Sequence, residues 1–263
     1  MDLVEAKERG YIISERHPWE LARVTVLKKL ISKNVPLNDN AIVVDIGCGD
    51  TFVVEELAKD YPQIFFYAID IAFTDEMIKQ YSEKLKVKNV FLYRSVDEFS
   101  ANINHSASLI ILADVIEHIE DDKKFISALI KNKFIGDDTL FLITVPAYQS
   151  LFCSHDIFLG HFRRYTNGKL KNNLSVSGLT VINIGYFFIS LLPIRIVQVI
   201  KEKIAGFDLK KMSTGLTTWQ GSKAKSAFFK NILIADIFIS FPLKKIGINL
   251  PGLSNYAICK KSA

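Results

Sequence analysis

The sequence predicts an α/β protein, a Rossmann-like seven-stranded, mostly parallel sheet with helices on both faces and a helical insertion between strands six and seven. Three observations carry this expectation. Short runs that are apolar throughout alternate with segments of helical period, as strands covered on both faces require. The first such run meets a glycine turn that opens a helix. The last two strand-like runs are separated by a long apolar and basic interval, 188–250, which no hairpin loop would need.

Taken in order, residues 17–23 open a helical pattern with Leu21, Val24, Leu27, Leu30 and Ile31 on one face, ending before Pro36. Residues 41–46 form the first strand, Gly47-Cys48-Gly49 the turn, and 52–58 a helix. Residues 64–70 give a second strand that ends on an acid, and 75–85 a second helix. Further strands are expected at 90–93, 108–113 and 140–145, with a helix over about 121–131 between the last two. A short helix capped by Thr166 leads to a sixth strand at 178–184, and 256–259 supplies the seventh. The organisation is therefore an N-terminal helical cap (1–36), a core (37–187), a helical insertion or lid (188–250) and a last core strand (251–263).

A chain of 263 residues with 49% apolar and 23% charged residues can bury a large core, which excludes a disordered tail, a collagen-like rod and a disulfide-stapled module. Cys48, Cys153 and Cys259 lie far apart without a CxxC pair, so neither a zinc ribbon nor a disulfide framework is expected and a reducing compartment is the natural home. The first nine residues mix both charge signs and lack the basic-then-apolar order of a secretory signal, so a cytoplasmic location is expected. The net charge of +5 conceals a split. From Asn183 onward there are 12 Lys and Arg against 3 Asp and Glu, so the C-terminal third is strongly basic and suited to an anionic surface.

In a doubly wound sheet the ligand lies at the carboxyl ends of the strands, where the glycine turn lets backbone approach it. A dinucleotide is disfavoured, because Phe52 stands where its fingerprint needs Gly or Ala beside a pyrophosphate. Asp70, closing the second strand, is placed to accept hydrogen bonds from the hydroxyls of a ribose. A nucleoside without pyrophosphate fits better, and S-adenosylmethionine (SAM) is the obvious one.

Val44-Asp45-Ile46-Gly47-Cys48-Gly49-Asp50, the terminal Asp70, and Leu112-Ala113-Asp114-Val115-Ile116-Glu117-His118 together resemble the motifs of class I SAM-dependent methyltransferases over about residues 40–187. The resemblance implies methyl transfer from SAM, leaving S-adenosylhomocysteine. Asp45 and the Gly47, Cys48 and Gly49 backbone would flank the methionine moiety, Asp70 the ribose and Ile71 one face of the adenine. Ser95, Val96 and Asp97 would edge the adenine amine, while Ala113 and Asp114 would line the wall beside the sulfonium. His17, Trp19 and Arg23 would roof the cofactor or simply pack the N-terminal helix.

Residues 145–166, after the fifth strand, should face the transferable methyl. His155 or His161 is a candidate general base, with Asp114 as a third catalytic candidate. Arg163 and Arg164 are candidates to grip a phosphate or carboxylate of the acceptor, with Tyr148, Asp156 and Tyr165 beside them. The alternative is that Asp156 and one of these arginines form an ion pair that holds the loop, with one histidine buried. Asp114-Val115-Ile116-Glu117-His118 also resembles the divalent-metal ligands of small-RNA 2′-O-methyltransferases and of some ubiquinone-pathway O-methyltransferases. Asp114, Glu117, His118 and His161 are then the alternative ligand set, against a favoured reading without metal. The segment through Thr166, with Pro251-Gly252-Leu253-Ser254, further resembles a methyltransferase subgroup bearing an HDxFxGHxRRYT pattern, associated with polyprenol-linked sugar and surface-glycan assembly.

Residues 174–194 are uncharged, yet their first half is claimed by the sixth strand. The remaining apolar segments of 186–194 and 228–242 have basic flanks, the composition of helices lying in a membrane interface, of a lid, or of a subunit contact. The expected acceptor is a small or lipid-linked molecule, methylated on oxygen rather than nitrogen, with an anionic membrane surface as a peripheral partner. Nucleic acid is disfavoured, because the chain has no RRM or KH signature. A non-catalytic SAM-binding protein is the remaining alternative, and the oligomeric state is left open.

Overall fold

A computed structural model describes residues 16–205 and 222–262. The parts of the N-terminal cap and insertion at 1–15 and 206–221 lie outside these residues. Seven strands form one sheet in the order β3-β2-β1-β4-β5-β7-β6. They are β1 (Ile42–Ile46), β2 (Phe65–Ile69), β3 (Val90–Tyr93), β4 (Leu109–Ala113), β5 (Leu140–Pro146), β6 (Leu179–Phe187) and β7 (Ser254–Lys261). β7 runs antiparallel between β5 and β6, and the other pairings are parallel. The expected strands and the helical insertion are all present, and β6 runs on to Phe187, beyond its expected end.

β1 and β4 are buried along their whole length, which explains why both read as unbroken apolar runs. β2 lies on one side of β1 and β4 on the other, so the chain reverses its winding direction at β1. That reversal opens a crevice outside the carboxyl ends of β1 and β4.

The helices are α1 (Pro18–Asn34), α2 (Phe52–Asp60), α3 (Asp75–Lys84), α4 (Val96–Asn102), α5 (Asp122–Leu129), α6 (Ser154–Phe158), α7 (Asn167–Val176), α8 (Leu191–Ala205) and α9 (Lys223–Lys245). His17 and Glu20 cap α1 reciprocally, and Thr166 caps α7 as expected. α1 is not the one-faced helix that its period suggested. Ala22, Val24, Val26, Leu27, Leu30 and Ile31 are all buried, because α9 packs on the side of α1 that the sheet leaves open. α4 was not expected. Its N-cap Ser95 accepts from Glu98 N at 3.0 Å, which draws 96–102 into helix.

The returning strand imposes one tight contact beside the crevice. Ala147 N donates to Leu253 O at 2.8 Å and Leu253 N to Phe188 O at 3.1 Å. A Cβ added at Gly252 would lie 2.2 Å from Phe187 O, and backbone cannot retreat as a side chain could. Gly252→Ala is expected to destabilise the fold by about 1–3 kcal/mol, read as a lower urea midpoint at unchanged slope.

Candidate active site

The crevice is built from the ends of three neighbouring strands. Gly47 (φ +74°) and Gly49 (φ +61°) hold the turn after β1 in the left-handed region that favours glycine. A Cβ at Gly47 would come within 2.7 Å of the Val115 side chain, so the glycine also permits close packing on the segment after β4. The Asp70 carboxylate joins the first two strand ends, accepting from Gly49 N at 2.9 Å and Ala72 N at 3.0 Å. Ile71 beside it is 91% exposed, on the open side of the strand ends. Val96 is half-buried against the core at the start of α4. Cys48 is buried and burial pushes its thiol far up, so it has no nucleophilic character.

Asp45 is also buried. Desolvation raises its carboxyl to about 7, against the opposing charge of Arg23. Arg23 is the main residue whose role sequence reasoning understated. From α1 it reaches the end of β4, where Nη2 lies 2.9 Å from Asp114 Oδ2 and donates to Ala113 O at 2.5 Å. Thr144 Oγ1 donates to the other Asp114 oxygen at 3.1 Å, and Asp114 itself sits at φ +58°. Arg23 Nε is buried without a hydrogen-bond partner, an unmet donor beside the crevice. The available signal was an arginine inside an apolar stripe, between Ala22 and Val24, which requires a buried acceptor.

The loop after β5 is organised differently from the substrate-facing expectation. Asp156 is fully buried and its carboxylate accepts from Arg164 Nε at 2.7 Å and Cys153 N at 2.9 Å, with His161 Nδ1 at 2.9 Å. Burial works against its charge, yet these partners hold the carboxyl well below the usual range. Arg164 is 2% exposed and also donates to Ala147 O. Tyr165 is buried with its hydroxyl on Asp122 Oδ2 at 2.7 Å. Arg163 donates to the carbonyls of Ile119 and Glu120 and lies 3.5 Å from Asp122. Asp156, Arg164 and Tyr165 are thus closed off from an acceptor, and Arg163 is engaged with protein. The burial of Asp156 and Arg164 favours the ion pair that holds the loop over a phosphate grip by Arg164. Tyr148 stays half-buried, stacked on Tyr186 with ring centres 5.2 Å apart.

His155 and His161 fare unequally. His155, on α6, is held near pKa 4 by burial and by Arg195 of α8, which makes it a poor base near neutrality. His161 meets His118 edge to face at 4.6 Å and, with Glu117, brings three ligand-type side chains within 4.8 Å of one another. Glu117 is wholly buried and neither carboxylate oxygen has a hydrogen-bond partner. Burial, then the charge of Asp114, pushes its carboxyl well above the ordinary value. Asp114, the fourth residue of the expected ligand set, is turned to Arg23 instead and is not in this cluster.

Residues 44–131 match the family model described as a methyltransferase domain. Among solved structures the chain is similar to one in the complex of the Haloferax volcanii Trm112 methyltransferase activator with a methyltransferase (TM-score 0.52, 11% identity, covering 92% of this chain and 94% of that one). It is also similar to the plantazolicin methyltransferase BamL, in complex with a triazolic desmethylPZN analog and S-adenosylhomocysteine (SAH) (0.51, 17%, 92% and 84%). A third similar structure is the [4+2]-cyclase SpnF (0.52, 9%, 90% and 80%). No curated protein sequence matches the chain. The fold is the Rossmann-like methyltransferase fold, and the domain match covers the glycine turn, Asp70 and the Asp114–His118 segment. SpnF shows why the activity must be argued from the site.

The state of His155 gives a pH test. It is neutral when folded and charges near pH 6.5 when unfolded, so the stability it contributes is lost as pH falls from about 6.5 toward 4. The melting temperature of the wild type should fall more steeply over that window than that of His155→Asn; parallel curves would refute the shift.

Proposed function

We propose that this protein is a SAM-dependent methyltransferase that methylates an oxygen of a small or lipid-linked acceptor. The observation that carries the reading is the joining of Gly49 to Asp70 at the switch point of the sheet, within the segment that matches a methyltransferase domain. The residues present fit the cofactor. Gly47 and Gly49 give the turn after β1 the left-handed backbone that brings its amides to the strand ends, Asp70 closes β2 where ribose hydroxyls can be met, and Arg23 Nε is an unmet donor buried beside the end of β4. SAM supplies a methyl group already activated on positive sulfur, and SAH is left. Three free, buried thiols suit a reducing cytoplasm.

The chain's own task is alignment, exclusion of water and removal of one proton. Asp114, fixed by Arg23 and Thr144, forms a rigid wall at the end of β4. His161 is the preferred base. Asp156 at its Nδ1 selects the tautomer with the proton on that nitrogen, leaving the Nε2 lone pair to take a hydroxyl proton. An oxygen acceptor is favoured because a neutral hydroxyl needs this assistance, whereas a neutral amine already presents a lone pair. Asp70→Ala is expected to weaken SAM binding at least about tenfold by calorimetry, while His161→Gln lowers turnover with SAM affinity unchanged. Unchanged affinity in the first variant would remove the ribose role.

A second reading is favoured by the orphaned carboxylate of Glu117. Glu117, His118 and His161 would hold a divalent cation, with Asp156 as the outer partner of His161, and the ion would polarise the acceptor hydroxyl. Here EDTA abolishes turnover, Mg²⁺ or Zn²⁺ restores it, and Co²⁺ gives visible bands that Glu117→Gln removes. Turnover indifferent to EDTA, with no Co²⁺ bands, leaves His161 as the base acting alone.

A further inference from the structure

α8 and α9 turn large apolar side chains away from the protein. On α9, Leu233, Asp236, Ile237, Ser240 and Phe241 form the buried stripe. The other side carries Phe228 (61% exposed), Phe238 (61%) and Ile239 (53%), with Ile246 (72%) just past the helix end. At 100° per residue these positions gather on the face opposite the stripe, so α9 is apolar on both sides and covered on one. On α8, Val199 is buried, while Ile194, Val197, Ile200 and Ile204 are 50–82% exposed and share one face. α9 is long and apolar enough to cross a membrane by length and composition, and only 28% of that stretch is buried, unlike a core helix. Large apolar side chains gathered on an uncovered helix face mark an interaction surface.

The charges around these faces have one sign. On α8, Lys201 lies within the exposed face, between Val197 and Ile194, and Lys203 lies to one side of it; on α9, Lys225 and Lys245 border the apolar face. The two acids on these helices are spoken for. Glu202 accepts from Ser154 N and Oγ, and Asp236 from Ser190 N and Oγ. From α1, Lys29 lies over the Phe238 ring at 4.1 Å and Lys33 over Phe241 at 4.9 Å. Lys29 and Lys245 stand near enough to Lys33 to add to the effect of its burial in lowering its pKa, so cations converge at the rim of the apolar face.

We propose that α8 and α9 seat the protein on the surface of a membrane that contains anionic lipid. Their outward Phe, Ile and Val side chains enter the acyl boundary, and Lys29, Lys33, Lys201, Lys203, Lys225 and Lys245 meet headgroup phosphates. A second copy of the chain fits less well, since a two-fold contact would set these lysines against their own kind, and lysine is depleted from protein interfaces. Spanning is opposed by the anchors of α9. Asp236 is tied to Ser190, and Lys244 Nζ donates to Asn183 Oδ1 and, at 2.9 Å, to Tyr256 OH, which hold the helix on the sheet.

The inference does not rest on methyl transfer, and its test reads binding without SAM. The full chain should float with vesicles of phosphatidylcholine and phosphatidylglycerol, float poorly with phosphatidylcholine alone, and be released by high salt or carbonate. The triple variant Phe228→Asp, Phe238→Asp, Ile239→Asp changes exposed positions. It should keep the wild-type circular dichroism and melting temperature yet partition at least about tenfold less. Lys29→Glu with Lys33→Glu and Lys245→Glu should flatten the salt dependence. Failure to float with the anionic vesicles, equal flotation of the triple variant, or resistance to carbonate would each overturn the proposal. So would a lipid-free dimer that the triple variant dissociates.

Discussion

The loop after β5 depends on one negative charge buried where water cannot reach it. A carboxylate without solvent is tolerated only when its lone pairs are met, and Asp156 meets them with Arg164, Cys153 N and His161. Each partner fixes a different element. Arg164 also grips Ala147 O at the end of β5, Cys153 starts α6, and His161 leans on His118 in the segment after β4. The same charge that folds the loop therefore also fixes the His161 imidazole.

A second buried ion pair performs the matching task from the other side. Arg23 crosses from α1 to the end of β4, so the N-terminal helix is not a detachable cap and its removal would leave Asp114 without its cation. Around these pairs stand two groups whose hydrogen-bonding capacity the protein leaves unused, Arg23 Nε and both oxygens of Glu117. Both residues belong to the ring around the end of β4. Buried polar atoms without partners are costly, and both of these lie beside the end of β4.

The insertion braces these elements from outside. Arg195 of α8 donates to Cys153 Sγ at 2.7 Å and Glu202 accepts from Ser154, so α8 braces α6 and the loop that carries His155 and His161. α9 in turn covers α1, the helix that supplies Arg23. The helices whose outer faces are exposed thus pack directly on the supports of both buried ion pairs.

Much of this was legible along the chain. The apolar runs at 42–46 and 109–113 announced doubly covered strands, the glycine turn and terminal Asp70 announced the crevice, and the 188–250 interval announced an insertion, because each rests on local pattern and spacing. Whether a charged side chain faces a ligand or the core was not legible, since Asp156, Arg164 and Tyr165 look alike in either role from sequence. Their burial comes from contacts between segments distant along the chain, as does the pairing of Arg23 with Asp114 and the isolation of Glu117. Local periodicity decided the fold and its ligand-binding edge, and only long-range packing, which sets desolvation, decided which charges were consumed in holding that edge together.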